Sequence, residues 1–544
     1  TALVAAFTAT NAYTMEINTD TEITGEGQAI EPNEKLIVSG GKLVATDTHV
    51  YAEGVEVTGG TVILNDGASL KNDNWDESFK LSGGTIIMNG GGDGPSIGTN
   101  HSSEEESWEY RGGKFEMTGG NLIVNDSENY IEGGDVSISA GTVDIAEGAT
   151  LQTAATLIPS GLSPEEGDDA MAGEVAVIKL TDEGTINLSG TLVSDVSGNG
   201  NLNVKSSSAL VDGDVSGSNL TFEADHSLSK AFSGTIGDLA SLNVNKGTLT
   251  YDKQTGKIGN LNVAGGLDIS TNTVNATNVE FADNSNLALR VAATDNYGKI
   301  NADKIGIGNE TTIKITLDNG VVGSEGKTFK FLNSGNIDGK FTNQIAGNGR
   351  YDIVQNKDGS FNVTQKDTTA SDVVAEAGGT ASNAATAEAW ETINNSSNVS
   401  AQAKAVSTAI YDLSQETSAA GKKAYVDALT AVAPEVAPMV QKTQTETANQ
   451  VFGAVSTRLT GGSISTGSEG MSSGDSNPDA AVWVQGMFNK SKLDDTSKAK
   501  GFDADSNGVA LGIEKFVNKD VKVGAGYAYT CLLYTSPSPR DRTR

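Results

Sequence analysis

The sequence predicts a predominantly all-β protein: a right-handed parallel β-helix, an α-helical linker, then the first strands of an antiparallel β-barrel. Three observations predict it. Short apolar runs rich in β-branched residues recur behind glycine corners, at a spacing of about 20 residues, the period of solenoid coils. No helical period appears before residue 370, where Ala, Ser, Thr, Glu and Gln replace the β-formers. Beyond residue 480, apolar residues alternate with small or polar ones over three segments.

The repeat is clearest in five segments: 38–45, 57–66, 81–90, 117–126 and 138–146. Each holds a β-former, one or two small residues, a glycine, and an apolar run such as Thr61-Val62-Ile63-Leu64. The corner glycines are Gly41, Gly60, Gly84, Gly120 and Gly141, with steps of 19, 24, 36 and 21. Glycine there permits the positive φ of a sharp corner. Flanking Gly, Asn and Asp favour strands over buried helices. Looser copies follow, including Asn201-Leu202-Asn203-Val204 and Asn260-Leu261-Asn262-Val263. One coil cannot bury its apolar face alone, but stacked coils share a core. An antiparallel sandwich array is the alternative. Residues 287–368 read as better-defined strands separated by Asn and Gly turns, and are assigned as a terminal cap.

Composition narrows function. The 544 residues are 37% hydrophobic, about 49% with the 65 glycines, which is the globular range and argues against wholesale disorder. The net charge is −33, with about −29 on residues 1–370 and about −4 on the rest. Phosphate backbones repel such a surface, so nucleic acid is a poor partner. The acidic surface suits solubility, basic partners or divalent cations. Cys531 is the one cysteine, which excludes an internal disulfide framework and thiolate metal sites. His49, His101 and His226 are too scattered for a zinc cluster.

The ends are distinct. Residues 1–12 are a short apolar stretch ending in small residues, as in the back half of a secretory signal peptide cleaved after Ala12; a short edge strand is the other reading. Residues 531–544 break with the composition before them and are set apart as a non-native tail. The genuine protein is then expected to continue beyond Thr530.

Residues 369–460 form the helical linker. Ala403, Val406, Ile410 and Leu413 stand on one helical face, and a second helix is expected at about 424–432. Val440, Ala448, Val451, Phe452, Val455 and Leu459 outline a further helix, ended by Gly461-Gly462. From Met439 to Leu459 it measures about 30 Å, the thickness of a bilayer's hydrocarbon core. Its other face, with Gln441, Lys442, Gln444 and Glu446, is too polar for lipid. A water-lined pore suits it, as does the surface of a soluble domain. A Gly/Ser linker occupies 461–480, and the alternating segments lie within 481–530. Phe516, Tyr527 and Tyr529 suit the aromatic girdles of a membrane barrel. A soluble antiparallel meander shares the same alternation.

The order of signal remnant, Gly/Asn-rich solenoid, helix and W-V-Q-G-M-F followed by G-F-D-A-D-S-N-G-V-A-L-G-I-E resembles the autotransporters, the type V secretion system of Gram-negative bacteria. Trp483, Gly486, Gly501, Asp503, Gly508, Gly512 and Glu514 carry the barrel motif. The likeness is close over 420–530 and architectural over 13–370. It implies an outer-membrane β-barrel of twelve strands, a helix through its pore, and an exported passenger occupying 13–286 with its cap at 287–368. It implies the outer membrane and its barrel-assembly machinery as partners, a host or cell-surface ligand, and a passenger on the cell surface or outside the cell. As given, the chain holds about three of those strands. Adhesion or surface display is the expected task of the passenger.

Chemical motifs are sparse, and no catalytic residue, cofactor site or metal site is assigned. Gly474-Asp475-Ser476 lies in the linker and lacks an oriented histidine. Gly90-Gly91-Gly92-Asp93-Gly94 is a single copy, unlike tandem calcium-binding rolls. Glu104-Glu105-Glu106 reads as a solvated loop within the insertion at 89–113, which also holds Trp108 and Tyr110. Asp66, Asp126 and Asp144 fit turns; stacked as acidic ladders they would suit a β-helical carbohydrate-active enzyme. A secreted soluble solenoid is a third reading.

Overall fold

A computed structural model describes residues 8–11, 14–24, 35–72, 77–90, 94–99, 114–154, 176–341, 349–433, scattered helical positions between 445 and 456, and 480–493, 502–518 and 521–535. The chain divides into two compact units, Thr1–Asn348 with Asp352–Gln365, and Gly349–Tyr351 with Lys366–Arg544.

The first unit is a parallel β-solenoid. Its strands follow the pattern of one residue in, one residue out, as in Lys35–Val38 and Thr61–Asn65. Parallel pairing then places like on like. Leu43, Val62, Ile86, Leu122, Val143, Ile186, Leu202, Leu220, Leu242, Leu261, Val279 and Ile305 lie in register from coil to coil. Each is buried, and burying such a side chain contributes about 1.5–3 kcal/mol. Two faces of the coil merge into one 22-stranded sheet, and the third face forms sheets of seven and five strands.

The repeated glycines make the corner between the first two faces. Gly41, Gly60, Gly84, Gly120 and Gly141 all have positive φ, from 61° to 90°. They also stack: a Cβ on Gly84 would lie 2.7 Å from backbone atoms of Gly59 and Gly60, and one on Gly120 would lie 2.7 Å from the carbonyl oxygen of Gly84. Conformation and close approach therefore both demand glycine at this corner.

Outside the core, amides form ladders. Asn125 Nδ2 donates to Asn89 Oδ1, Asn89 Nδ2 to Asn65 Oδ1, both at 2.9 Å, and Asn65 Nδ2 to Thr46 Oγ1 at 3.0 Å. Further along, Asn203 donates to Asn187, which donates to Asp144. Aspartates cap the next coil's backbone: Asp195 accepts from the Asp214 amide, Asp214 from Thr235, Asp238 from Lys257 and Asp283 from Asn309.

The third face is interrupted once among the described residues. Its first sheet ends at Leu210–Asp212 and its second begins at His226–Ser227, beside a single helical turn at Leu228–Ala231. His226 is buried there; its Nε2 is 2.9 Å from the Ala209 carbonyl, and its Nδ1 accepts from the Ser227 amide. Parallel solenoid pairings continue through Ile337–Asp338, and residues 327–365 add an antiparallel pair, Lys327–Phe329 with Phe361–Gln365. Tyr297, Phe329, Phe331, Phe361, Phe341 and Phe281 form a continuous aromatic cluster, with ring centroids 5.2–6.5 Å apart. At the other end, Thr8–Asn11, within the stretch read as a signal remnant, pairs antiparallel with Thr14–Ile17.

The second unit opens with four helices: α1 (Ala370–Glu376), α2 (Ala381–Asn395), α3 (Ala401–Leu413) and α4 (Ala419–Val432). Their starts are written locally. Thr369 with Asp372 and Thr380 with Asn383 form capping boxes, and Ser400 and Ser418 accept from the amides three residues on. Val373, Val374, Ala387, Ile410, Tyr425 and Leu429 pack together. The buried face of α3 is rotated from the one its apolar residues suggest: Ser407 is buried and Val406 is 39% exposed. Ser407 donates to the Lys404 carbonyl, and a polar centre lies beside this face. Arg350, itself buried, donates from Nε to Ser414 Oγ at 2.6 Å and from a terminal nitrogen to Glu391 at 2.8 Å. Its guanidinium lies 4.9 Å from the centre of the Tyr411 ring.

Candidate membrane-anchoring site

The C-terminal strands are β1 (Ala480–Leu493), β2 (Phe502–Asn518) and β3 (Val521–Thr535). They form one antiparallel meander. At about 3.4 Å per residue, 14 to 17 residues are ample for a strand that crosses a bilayer at a tilt. The last strand runs through Cys531 to Thr535, because the β-formers Leu532, Leu533 and Tyr534 extend its pairing past residue 530.

The pairing sorts the residues into two faces. One carries Val482, Val484 and Phe488 of β1, Val509, Leu511, Ile513 and Val517 of β2, and Val523, Tyr527 and Tyr529 of β3. These are 38–78% exposed. In water, so continuous an apolar face marks an interaction surface; facing lipid, it is the stable arrangement. The opposite face is made of small residues at the centre of β2 and β3, set against Trp483, Gln485 and Met487 of β1. Ala510 opposes Gln485 and Ala528, Gly512 opposes Trp483 and Gly526, and Gly508 opposes Met487 and Thr530. Met487 and Ala510 are buried, and Val451 packs against them with Ala528. A Cβ on Gly508 would lie 2.5 Å from Thr530 Cγ2 and 2.6 Å from the Tyr529 carbonyl oxygen.

The motif residues expected from sequence fall on these strands. Gly486 opposes Val509, Asp503 opposes Lys492 and Thr535, and Glu514 opposes Ala481 and Gly524. Gly501 lies outside the described residues, as do Val440, Val455 and Leu459 of the expected pore helix. Ala448, Val451 and Phe452 are helical. Val451 reaches the buried face of the strands, while Phe452 is 71% exposed and Ala448 is exposed. Met487 escaped the sequence reading because its role depends on a partner some 36 residues earlier. Its signal is its size, set in a row whose other members are Gly508 and Thr530.

The remaining candidates are dispersed. The Gly474-Asp475-Ser476 motif, Glu104–Glu106, Trp108, Tyr110 and Gly91–Asp93 lie outside the described residues. Asp144 accepts from the Asn187 amide and Asp126 from the backbone of Ser127, so both work as turn and ladder residues. Among the described residues, no three His, Cys, Asp or Glu side chains gather to hold a metal ion. No described helix is long and apolar enough to cross a membrane, a statement that does not bear on spanning strands.

The autotransporter beta-domain family matches residues 482–534, covering nearly all of the three strands. The chain joins this beta-domain match to a β-solenoid, the arrangement of an autotransporter and its passenger. No curated protein matches the chain. In an autotransporter, the beta-domain forms an outer-membrane barrel, and the passenger lies at the surface or is secreted. The two faces of β1–β3 divide accordingly: apolar side chains for lipid, small ones for the interior. Val451 packs against the small-residue face.

Proposed function

We propose that this autotransporter exports and displays its own solenoid: the barrel anchors in the outer membrane of a Gram-negative bacterium, the helix around Val451 tethers from within the barrel, and the solenoid is held outside the cell as an adhesive or display surface. The observation that carries the reading is the division of β1–β3 into a continuous apolar face and a small-residue face that receives Val451. A folded solenoid stabilised coil by coil supports the outward direction, because each coil that stacks outside buries apolar surface and opposes return. In this reading residues 1–12 belong to the export signal, and the barrel-assembly machinery is the partner that inserts the strands.

The test is to express the intact gene in a Gram-negative host and treat whole cells with protease. A solenoid digested at the surface while the C-terminal strands stay protected in the outer-membrane fraction is the expected result. Retention of the whole product in the cytosol, or full digestion of the strands, would overturn the proposal.

A further inference from the structure

On the N-terminal coils, the third face brings together features found nowhere else among the described residues of the solenoid. Parallel pairing sets Tyr51, Lys71, Gly98 and Glu132 in one outward row. Gly98 has no side chain, so Lys71 and Glu132 reach across its coil and meet at 2.9 Å, with side chains only 14% and 21% exposed. Tyr130 stands in the adjacent row, opposite Ser96. Between residues 14 and 286, every other described Phe or Tyr is buried, so Tyr51 and Tyr130 are the described rings of this type turned outward. They flank the ion pair, three coils apart, or about 14 Å along the stack at about 4.8 Å per strand.

We propose that this patch is a binding site for a neutral oligosaccharide. One face of the Tyr51 ring stacks on His49, 6.1 Å between ring centroids; its other face and the Tyr130 ring, both half-exposed, offer stacking platforms for the apolar C–H faces of sugar rings. Lys71 donates hydrogen bonds and Glu132 accepts them, which suits hydroxyl groups that do both. The two charges already compensate each other, so the patch selects no net charge in its ligand. The surrounding solenoid, with about −29 on residues 1–370, repels anionic polymers. An extended chain of sugars fits the spacing of the two rings better than a single ring does. A charge-compensated patch on a flat sheet face holds its ligand without needing a catalytic pair of carboxylates. The inference rests on the surface-display reading only in placing the ligand outside the cell.

The experiment probes the purified full chain in detergent against immobilised neutral glucan, mannan and galactan oligosaccharides, with sulfated glycans and acidic and basic peptides alongside. The expected result is binding to at least one neutral oligosaccharide that is insensitive to salt. It should weaken about tenfold in Tyr51→Ala and in Tyr130→Ala, with thermal unfolding of the chain unchanged. Lys71→Met combined with Glu132→Gln should weaken binding further without creating affinity for sulfated glycans. Failure to bind any neutral oligosaccharide, undiminished binding in both tyrosine variants, or binding confined to sulfated glycans or peptides would overturn the proposal. A protein that binds sugar in vitro but stays inside the cell would sink the display reading and leave this one standing.

Discussion

The hydroxyls of Tyr351 and Tyr411 lie 2.6 Å apart inside the helical part of the second unit, with both side chains almost wholly buried. Burial, reinforced by the neighbouring Tyr351, pushes the Tyr411 hydroxyl far above the ordinary phenol range, while Arg350 pulls the other way. Burial likewise raises Tyr425. Unfolded tyrosine titrates near about pH 10. The stability of these neutral phenols is therefore present below that pH and is lost as pH rises beyond it, because only the unfolded chain releases the protons. Helical circular dichroism of the chain should fall above about pH 10. Tyr411→Phe should lose about 1 kcal/mol at neutral pH yet move the alkaline transition upward. An alkaline midpoint that does not move would show that these rings do not control it.

Arg350 stands at the centre of the same cluster, and its replacement should be far more damaging than a surface change. Arg350→Ala leaves Glu391 without its cation and removes the donor to Ser414. Breaking a buried pair in this way costs about 3–5 kcal/mol. Arg350→Lys should recover only part of it, since a point charge cannot serve Ser414, Glu391 and the Tyr411 ring in one plane. Urea unfolding followed by helical signal checks both, and equal midpoints for the lysine variant and the parent would contradict the geometry.

The glycine corner separates two costs that are usually mixed. Gly84 has φ +70°, and its added Cβ would lie 2.7 Å from the Gly59 backbone. Gly148 has φ +81° with nothing within 4 Å of the same atom. Alanine at Gly148 should cost only the left-handed strain of about 1–2 kcal/mol. Alanine at Gly84 should cost more, because two coils must separate to admit it. Thermal unfolding of the two variants, read by β-sheet signal, should rank them in that order.

These glycines also show why the solenoid was legible from sequence. Each coil repeats the same local requirement, so a positive φ at Gly41, Gly60, Gly84, Gly120 and Gly141 appears as a spacing that can be counted. Inward and outward alternation is equally local, and it marked Val62 and Leu202 as core. The polar centre was not legible. Arg350 finds Glu391 and Ser414 at separations of 41 and 64 residues, and no local pattern records such a meeting. For the same reason α3 buries Ser407 while its apolar periodicity points to Val406. The strands of the anchoring site were visible in their alternation. The seam of Met487, Ala510 and Val451 was not, because it joins a helix and a sheet through contacts the chain makes only when folded.

Acid should loosen the solenoid through its coil-capping aspartates. The backbone N–H of Thr235, then its hydroxyl, hold the Asp214 carboxyl below the usual carboxylate range. The stabilisation belongs to the ionised form, so it is present above about pH 4 and lost as pH falls through the lowered value. Thermal unfolding temperature should drop between about pH 4 and pH 2. Asp214→Asn should lower stability at neutral pH and flatten that dependence. A variant with the parent's full acid sensitivity would assign the effect to other carboxylates.

The two faces of β1–β3 make the sharpest prediction about anchoring, because they should reject opposite kinds of substitution. Leu511 is 46% exposed on the apolar face, between Val484 and Tyr527 in the pairing. A lysine there would meet lipid, at a cost of about 2–4 kcal/mol near the bilayer midplane. Leu511→Phe, which keeps the face apolar, should be tolerated. Ala510, one residue away, is 1% exposed beside Met487 and Val451. There a phenylalanine has no room, so Ala510→Phe should displace the helix from the strands, while Ala510→Ser should be tolerated. In cells making the intact protein, Leu511→Lys and Ala510→Phe should each reduce the heat-resistant, fast-migrating barrel on gels and the amount of solenoid exposed to added protease. The two tolerated variants should match the parent. If lysine at 511 and phenylalanine at 510 were both harmless, β1–β3 would have neither a lipid side nor a filled interior, and an ordinary soluble sheet would account for them.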